Sequence, residues 1–283
     1  LKFRYNKKYI HYNIDICNNN SLNKIFSKFK KKIKLVIHAA AQPSHDWAYK
    51  NPHLDFKINA EGTLNLLENT KKYSSKAVFI FLSTNKVYGD GPNKIKYLNL
   101  NSRFELKKKH KYFNGINENF SIDNCVHSLF GVSKSYADLI CQEYGKNLKL
   151  SVGIFRAGCI TGPKHKGAKL HGFLSYLVKT IIRGKKYNII GYGGKQVRDN
   201  IHSKDLIRCF WEFYKKPKKG EVYNIGGGRF SNCSVLEAIR IVENKLNFKA
   251  KTKKIERNRI GDHKWYISDT SKFKKHYPKW KQT

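Results

Sequence analysis

No methionine occurs among the 283 residues, and the chain opens on Leu1. A translated chain starts with methionine, so a fragment or a processed product is expected. Acidic side chains are scarce: 20 Asp and Glu stand against 57 Lys and Arg, a formal net charge of +37. No apolar run approaches the roughly 20 residues that cross a bilayer, and no signal peptide stands at the start. A membrane partner is therefore not expected, and a cytoplasmic location is. The six cysteines, Cys17, Cys125, Cys141, Cys159, Cys209 and Cys233, contain no Cys-x-x-Cys pair. That scatter argues against a zinc site or a disulfide framework and fits a reducing compartment, so no metal is expected.

What is present is enough to fold. Hydrophobic residues make up 40% and aromatics 13%, which separates the chain from disordered ones. This length buries one large core or two modest ones. The positive charge would suit a polyanion such as RNA or DNA. However, the runs Lys28 to Lys34, Lys107 to Lys111 and Lys215 to Lys219 fall at helix ends and in loops, without the aromatic interleaving of a single-strand platform. Nucleic acid is therefore not the expected partner. A basic surface still attracts an anionic nucleotide.

Strand and helix patterns alternate along the chain. Lys34 to Ala41 and Ala77 to Thr84 are apolar runs that predict buried strands, and Leu150 to Ile160 predicts another. Leu54 to Tyr73 and His127 to Leu148 predict helices between them. Residues 89 to 127 are polar and rich in Gly, Pro and Asn, which predicts a long loop or lid. Further on, helices are predicted over Leu170 to Arg183 and Ser203 to Tyr214, and strands over Tyr187 to Gly194 and Val222 to Ile225. Ser234 and Glu237 have capping-box spacing. Repeated strand-helix units predict an α/β fold with a Rossmann-like, doubly wound parallel sheet. Residues 1–160 are expected to form the dinucleotide domain, and 161–283 a smaller α/β substrate lobe interleaved with it. A sheet of this kind begins with a Gly-x-x-Gly-x-x-Gly turn that holds a pyrophosphate at a helix N-terminus. No such turn precedes Lys34, and Tyr9 to Cys17 already reads as a later strand ending at Asp15. The first βαβ unit is therefore expected to be missing.

In Phe130-Gly131-Val132-Ser133-Lys134, residues 130 and 134 share one helix face, one turn apart. The segment resembles the Tyr-x-x-x-Lys motif of the short-chain dehydrogenase/reductases, with phenylalanine in place of the tyrosine. Five other stretches resemble the extended, nucleotide-sugar branch of that superfamily, the NAD-dependent epimerase/dehydratases. They are His38-Ala39-Ala40-Ala41-Gln42, the Asn59 to Leu67 helix, Ser83-Thr84-Asn85-Lys86-Val87-Tyr88-Gly89, Arg198-Asp199-Asn200-Ile201-His202 with Asp205, and Arg259-Ile260-Gly261-Asp262. Within that family, Ala41 to Trp47, Ser83 to Asp90, Leu170 to Leu174, Gly194 to Ser203 and Asn224 to Arg229 are similar to a subgroup that epimerises a CDP-linked sugar of the paratose type.

The resemblance implies a tightly held NAD and an epimerase that removes and returns a hydride on a nucleotide sugar. The alternatives are a dehydratase of the same superfamily and a non-catalytic NAD- or RNA-binding protein. The dehydratase pattern carries Asp-Glu after the threonine, where this chain has Asn85-Lys86. The implied catalytic positions are Thr84, Lys134 and Phe130, the last at the family tyrosine. Implied cofactor contacts are Asp15, Ala39, Ala40, Ala41, Asn59, Ser83, Lys134 and Phe155. Implied substrate contacts are Gln42, Asn85, Lys86, Arg198, Arg229, Arg259 and Asp262. A homo-oligomer is compatible with the family. Candidates for the missing base are Lys86, Tyr88 and His45, since a lowered lysine, a phenol or an imidazole can each accept a proton. Simpler roles compete: His38 as a core histidine, Tyr88, Phe130 and Phe155 as core aromatics, and Gly226 to Gly228 as a plain turn rather than an anion cradle.

Overall fold

A computed structural model describes residues 9–167, 172–256, 258 and 261–283. The chain enters through an irregular stretch and helix α1 (Asn19–Phe29), capped by the Asn18 side chain on the Ser21 N–H. Strand β1 (Leu35–His38) and helix α2 (His45–Lys50) follow. A helical segment from Pro52 runs through a π turn at Lys57–Glu61 into α3 (Gly62–Ser74). Then come β2 (Val78–Thr84), a small hairpin of β3 (Leu98–Asn99) and β4 (Phe104–Glu105), and the long helix α4 (Ser128–Lys146). Strands β5 (Ser151–Ala157) and β6 (Cys159–Thr161) lead to α5 (Phe173–Ile182), β7 (Tyr187–Ile190), β8 (Val197–His202) and α6 (Ser203–Lys215). The chain closes with β9 (Glu221–Ile225), β10 (Asn232–Ser234), α7 (Val235–Leu246), β11 (Thr252–Ile255), β12 (Trp265–Tyr266) and α8 (Ser271–His276).

The main sheet is parallel throughout, in the order β1-β2-β5-β9. Side chains alternate along its strands and feed two cores. Phe79, Phe81, Val152 and Ile154 face α1, α3 and α4, meeting Phe26, Leu67 and Cys141. Val78, Ile80, Phe155, Tyr223 and Ile225 face the other way, against Phe210, Phe213 and Phe273 of α6 and α8. Helices thus cover both faces, which is why the strands read as unbroken apolar runs. At Gly153 a Cβ would lie 2.5 Å from the Phe213 ring, so only glycine lets that ring close on the sheet. Because β9, α6 and α8 come from the second half of the chain, the two halves share this sheet.

A second sheet is built on β8, with antiparallel β10 on one side and parallel β6 and β12 on the other. The β7–β11 parallel pair and helices α5 and α7 form the outer lobe around Leu177, Ile189 and Ile239. The predicted capping box at Ser234 and Glu237 is complete, each side chain bonding the other's backbone N–H.

Two expectations need correction. Residues 9–17 form no strand: the described part ends in a turn held by Asp15, whose Oδ1 accepts from the Cys17 N–H at 2.9 Å. Among the described residues no strand, this segment included, pairs with the outer edge of β1. Residues 89–127 are irregular but are not a lid. Leu106 and Ile116 are buried against Val87, Tyr88, Trp265 and Tyr266, with Phe104, Tyr112 and Phe120 packed around them.

Candidate active site

A cleft of about 780 Å³ opens at the C-terminal ends of β1, β2 and β5, where ligands sit in open parallel sheets. Its floor is Ala39, Ala41, Pro43 and His45 after β1, Leu82 to Lys86 at the end of β2, Phe130 and Lys134 of α4, and Ala157 to Gly162 after β5. Its far wall comes from α5, β7, β8 and the Gly261–Asp262 turn. The spacing of four does what the sequence promised: Phe130 and Lys134 face the same cavity.

Lys134 is buried, with Nζ 4.3 Å from the centre of the Phe81 ring and donating to the Leu82 carbonyl at 3.1 Å. Burial pushes its ammonium down to about 8, against the upward pull of nearby Asp138 and Asp55. Thr84 accepts from the Lys86 N–H at 3.2 Å and so caps the 3₁₀ turn Asn85–Tyr88. Its hydroxyl also lies 3.5 Å from the Asn85 amide oxygen. Ser83 donates to Asp138 at 2.5 Å. Asp138 is gripped by Arg156, which ties α4 to the end of β5.

Opposite them lies a charged cluster. Arg198 donates to the Val197 carbonyl at 2.8 Å and pairs with the Asp262 carboxylate, which also sits 3.8 Å from Lys86 Nζ. Lys86 donates to the Gly261 carbonyl at 2.8 Å. Although burial opposes it, the two cations hold the Asp262 carboxyl well below the usual range, so it is ionised at any working pH. Among the described lining residues Asp262 is the single carboxylate, against Lys86, Lys134, Lys164 and Arg198. The cleft is therefore built for an anion.

Other expected contacts lie elsewhere. Phe155 points into the aromatic core, 5.1 Å from Phe210 and 5.5 Å from Phe213 between ring centres, and cannot reach the cleft. Gln42 is buried and donates to the Asp55 carboxylate at 2.6 Å. Asn59, in the π turn, binds both backbone groups of Gln42, accepting from its N–H at 2.9 Å and donating to its carbonyl at 3.1 Å. These two amides hold the loop after β1 in place without lining the cleft themselves. Ala40 is exposed but outside the cavity wall. Arg229 forks onto Glu105 and stacks 3.9 Å from the Phe113 ring. Asp15 lies in a separate shallow depression with Cys17, Asn18 and Lys57. Arg259 and Ile260, like Leu170 and His171, fall outside the described residues.

Of the candidate bases, Tyr88 is removed by its position. It is fully buried, its hydroxyl is held by Arg156 at 3.0 Å and Asn224 at 2.8 Å, and burial pushes it up to about 12. His38 is a core residue, bonded to Thr63 at 2.9 Å and pushed down to about 3 by burial. The Gly226–Gly228 turn is internal: the Gly228 N–H already donates to buried Asp199 at 3.1 Å. Sequence reading missed the floor residues Gly158 to Thr161. Their glycine-bounded run just past a parallel strand was the available signal.

These residues fit one half of a dinucleotide. Ala39, Ala41, Ser83 and Thr84 put small side chains and strand-end backbone beside an ammonium, the chemistry a ribose and nicotinamide require. Among the described residues no glycine-rich helix N-terminus offers a pyrophosphate cradle.

The profile of the NAD dependent epimerase/dehydratase family matches residues 2–226, and the chain belongs to that family, whose members are NAD-dependent enzymes with a Rossmann-like fold. It is 30% identical over 265 residues to a CDP-paratose 2-epimerase of Salmonella typhi, covering 91% of this chain and 75% of that protein. It is 32% identical over 229 residues to a dTDP-D-glucose 4,6-dehydratase of Dictyostelium discoideum, covering 81% of this chain but 49% of that one, about half its length. Among solved structures, the UDP-glucose 4-epimerase of Thermus thermophilus in complex with NAD superposes with a TM-score of 0.79 at 20% identity, covering 98% of this chain and 81% of that one. No described helix is long and apolar enough to cross a membrane.

Proposed function

We propose that this chain epimerises a nucleotide sugar, of the CDP-paratose type, by transient removal and return of a hydride. The observation that carries this over dehydration is the cleft's carboxyl inventory. The dehydratase pattern puts Asp-Glu after the threonine, and this chain has Asn85-Lys86 there. The sole carboxylate of the described lining, Asp262, is pinned as an anion by Arg198 and Lys86, and Asn85 cannot transfer a proton. When bound, NAD supplies the hydride acceptor and gives the hydride back.

In this reading residues 1–160 hold the dinucleotide and 161–283 furnish most of the substrate lobe. Lys134 binds ribose hydroxyls with the donors not spent on Leu82 and adds positive charge beside the nicotinamide. Ala39, Ala41 and Ser83 line its edge, and Asp15 approaches the adenine end. Thr84 bonds the reacting sugar oxygen. Asn85, Lys86, Arg198 and Asp262 face the sugar and its diphosphate. The enzyme acts in the cytoplasm, alone or as a homo-oligomer.

The test is mass spectrometry and NMR of full-length protein offered CDP-, UDP-, GDP- and dTDP-sugars. The expected result is retained dinucleotide and a product of unchanged mass with one inverted carbon. A product lighter by one water would replace this reading with a dehydratase. Protein without dinucleotide and without product would end the enzyme reading.

A further inference from the structure

Position 130 has no hydroxyl, yet a proton must leave the sugar alcohol whenever its carbon loses a hydride. The cleft contains another group placed to take it. The His45 ring meets the Phe130 ring edge-on, with centres 4.9 Å apart at 67°. His45 Nδ1 lies 2.8 Å from the Ser128 hydroxyl. Gly261 borders the same edge of the ring: a Cβ there would stand 3.2 Å from His45 Cε1, 3.3 Å from Nδ1 and 3.7 Å from the Ser128 Cβ, so a side chain would crowd the imidazole. Ser128 adopts a left-handed φ of 65° at the start of α4, a strained conformation for a residue with a side chain. That hydroxyl also accepts from the Gly131 N–H at 3.3 Å, fixing it between helix and imidazole.

The other titratable groups of the floor are committed elsewhere. Lys86 is paired with Asp262 of the far wall, and the Cys159 thiol is pushed up to about 12 by burial. Lys134 serves Leu82 and the ribose side. We infer that His45 is the acid–base residue of this enzyme, standing in for the phenol that Phe130 lacks, with Ser128 as its positioning residue. The inference rests on the epimerase reading. In the forward half-step the alcohol O–H bond breaks and its proton passes to His45. NAD, when bound, would accept the hydride of the same carbon, leaving a keto sugar, and would return it to the opposite face. His45 would then give the proton back to the oxygen.

The test uses full-length protein in four forms: wild type, His45→Ala, Phe130→Tyr, and the double variant. In wild type, offered the same panel of sugars, nicotinamide reduction and epimer formation should both proceed. His45→Ala should lower the rate about 100-fold or more, the scale of general acid–base catalysis, with the melting temperature and retained dinucleotide unchanged. The double variant should recover at least about tenfold, since a phenol returns to the same spot one turn from Lys134. A purely structural histidine would not be rescued by a hydroxyl at 130. Ser128→Ala should lower kcat with little change in KM. Independently of turnover, a bound sugar nucleotide should shield His45 from diethylpyrocarbonate, read by peptide mass spectrometry. If wild type turns over and His45→Ala matches it, the assignment to His45 falls while the epimerase reading stands. If wild type turns over nothing, the epimerase reading falls and the catalytic role with it. If no sugar shields His45, it does not touch substrate and the assignment falls.

Discussion

Arg156 holds Asp138 through two nitrogens, Nη2 on Oδ1 at 2.8 Å and Nε on Oδ2 at 3.0 Å, both side chains almost wholly buried. The pair joins β5 to α4 one turn beyond Lys134, and the same carboxylate accepts from Ser83 at the end of β2. It therefore sets the height of Lys134 and Phe130 over the strand ends.

Asp138→Ala should leave a buried guanidinium uncompensated. A loss of about 3–5 kcal/mol is expected, measured as the shift of the urea unfolding midpoint. A loss below about 1 kcal/mol would mean that water or a neighbour satisfies Arg156 without its partner.

Lys134 should leave a pH signature. Burial lowers its ammonium from the ordinary 10.5 to about 8, so between those values the unfolded chain carries a proton that the folded chain has released. Stability from this group is lowest below pH 8 and rises toward pH 10.5, by roughly 3 kcal/mol at most. Lys134→Met should be the more stable protein at pH 7 and lose that advantage at pH 10, while retaining less dinucleotide. Unfolding titrations at the two pH values, compared between variants, check the sign.

Arg198→Ala removes the guanidinium best placed for a diphosphate. Calorimetry with CDP and UDP should show affinity falling by about 10- to 100-fold, the worth of one charge-assisted hydrogen-bonded contact. Unaltered affinity would put the diphosphate on other residues.

Phe130→Tyr on its own should change kcat by no more than a few-fold, because the proton already has an acceptor. A gain of about 100-fold, the scale of a restored acid–base group, would show that the wild type lacks one.

Gly226→Ala places a Cβ 1.9 Å from Asp199 Oδ2 and 2.4 Å from Ser268 Oγ. Asp199 is buried and accepts from the Gly228 and Ser268 N–H groups, so it cannot step aside. Overpacking of this kind should cost about 3 kcal/mol or more, visible as a lowered melting temperature.

Much of the fold was legible because its signals are local. Val78–Thr84 and Ser128–Lys146 announced themselves by apolar runs and periodicity, and Ser234 with Glu237 by spacing alone. The site was legible where neighbours in sequence stay neighbours in space, as with Thr84, Asn85 and Lys86 on one turn. It failed for Phe155, because a strand buried on both faces does not say which side chain faces which layer. Asn59 and Gln42 failed for a different reason. Their amides could serve a ligand or the backbone, and here they serve each other. The hairpin and core within 89–127 were hidden because Tyr97, Phe104 and Phe120 follow no period and pack on Trp265 and Tyr266 near the other end of the chain.

By itself, the sequence determined the alternating α/β order, the strongly basic net charge and the exchange of a phenol for a phenyl ring at position 130. Those follow from residue identity and short-range spacing. Only the tertiary structure decided that His45 stands against that ring, its Nδ1 on a hydroxyl 83 residues away. Periodicity reports which face a residue shares, and it carries no information about which distant loop is folded onto that face.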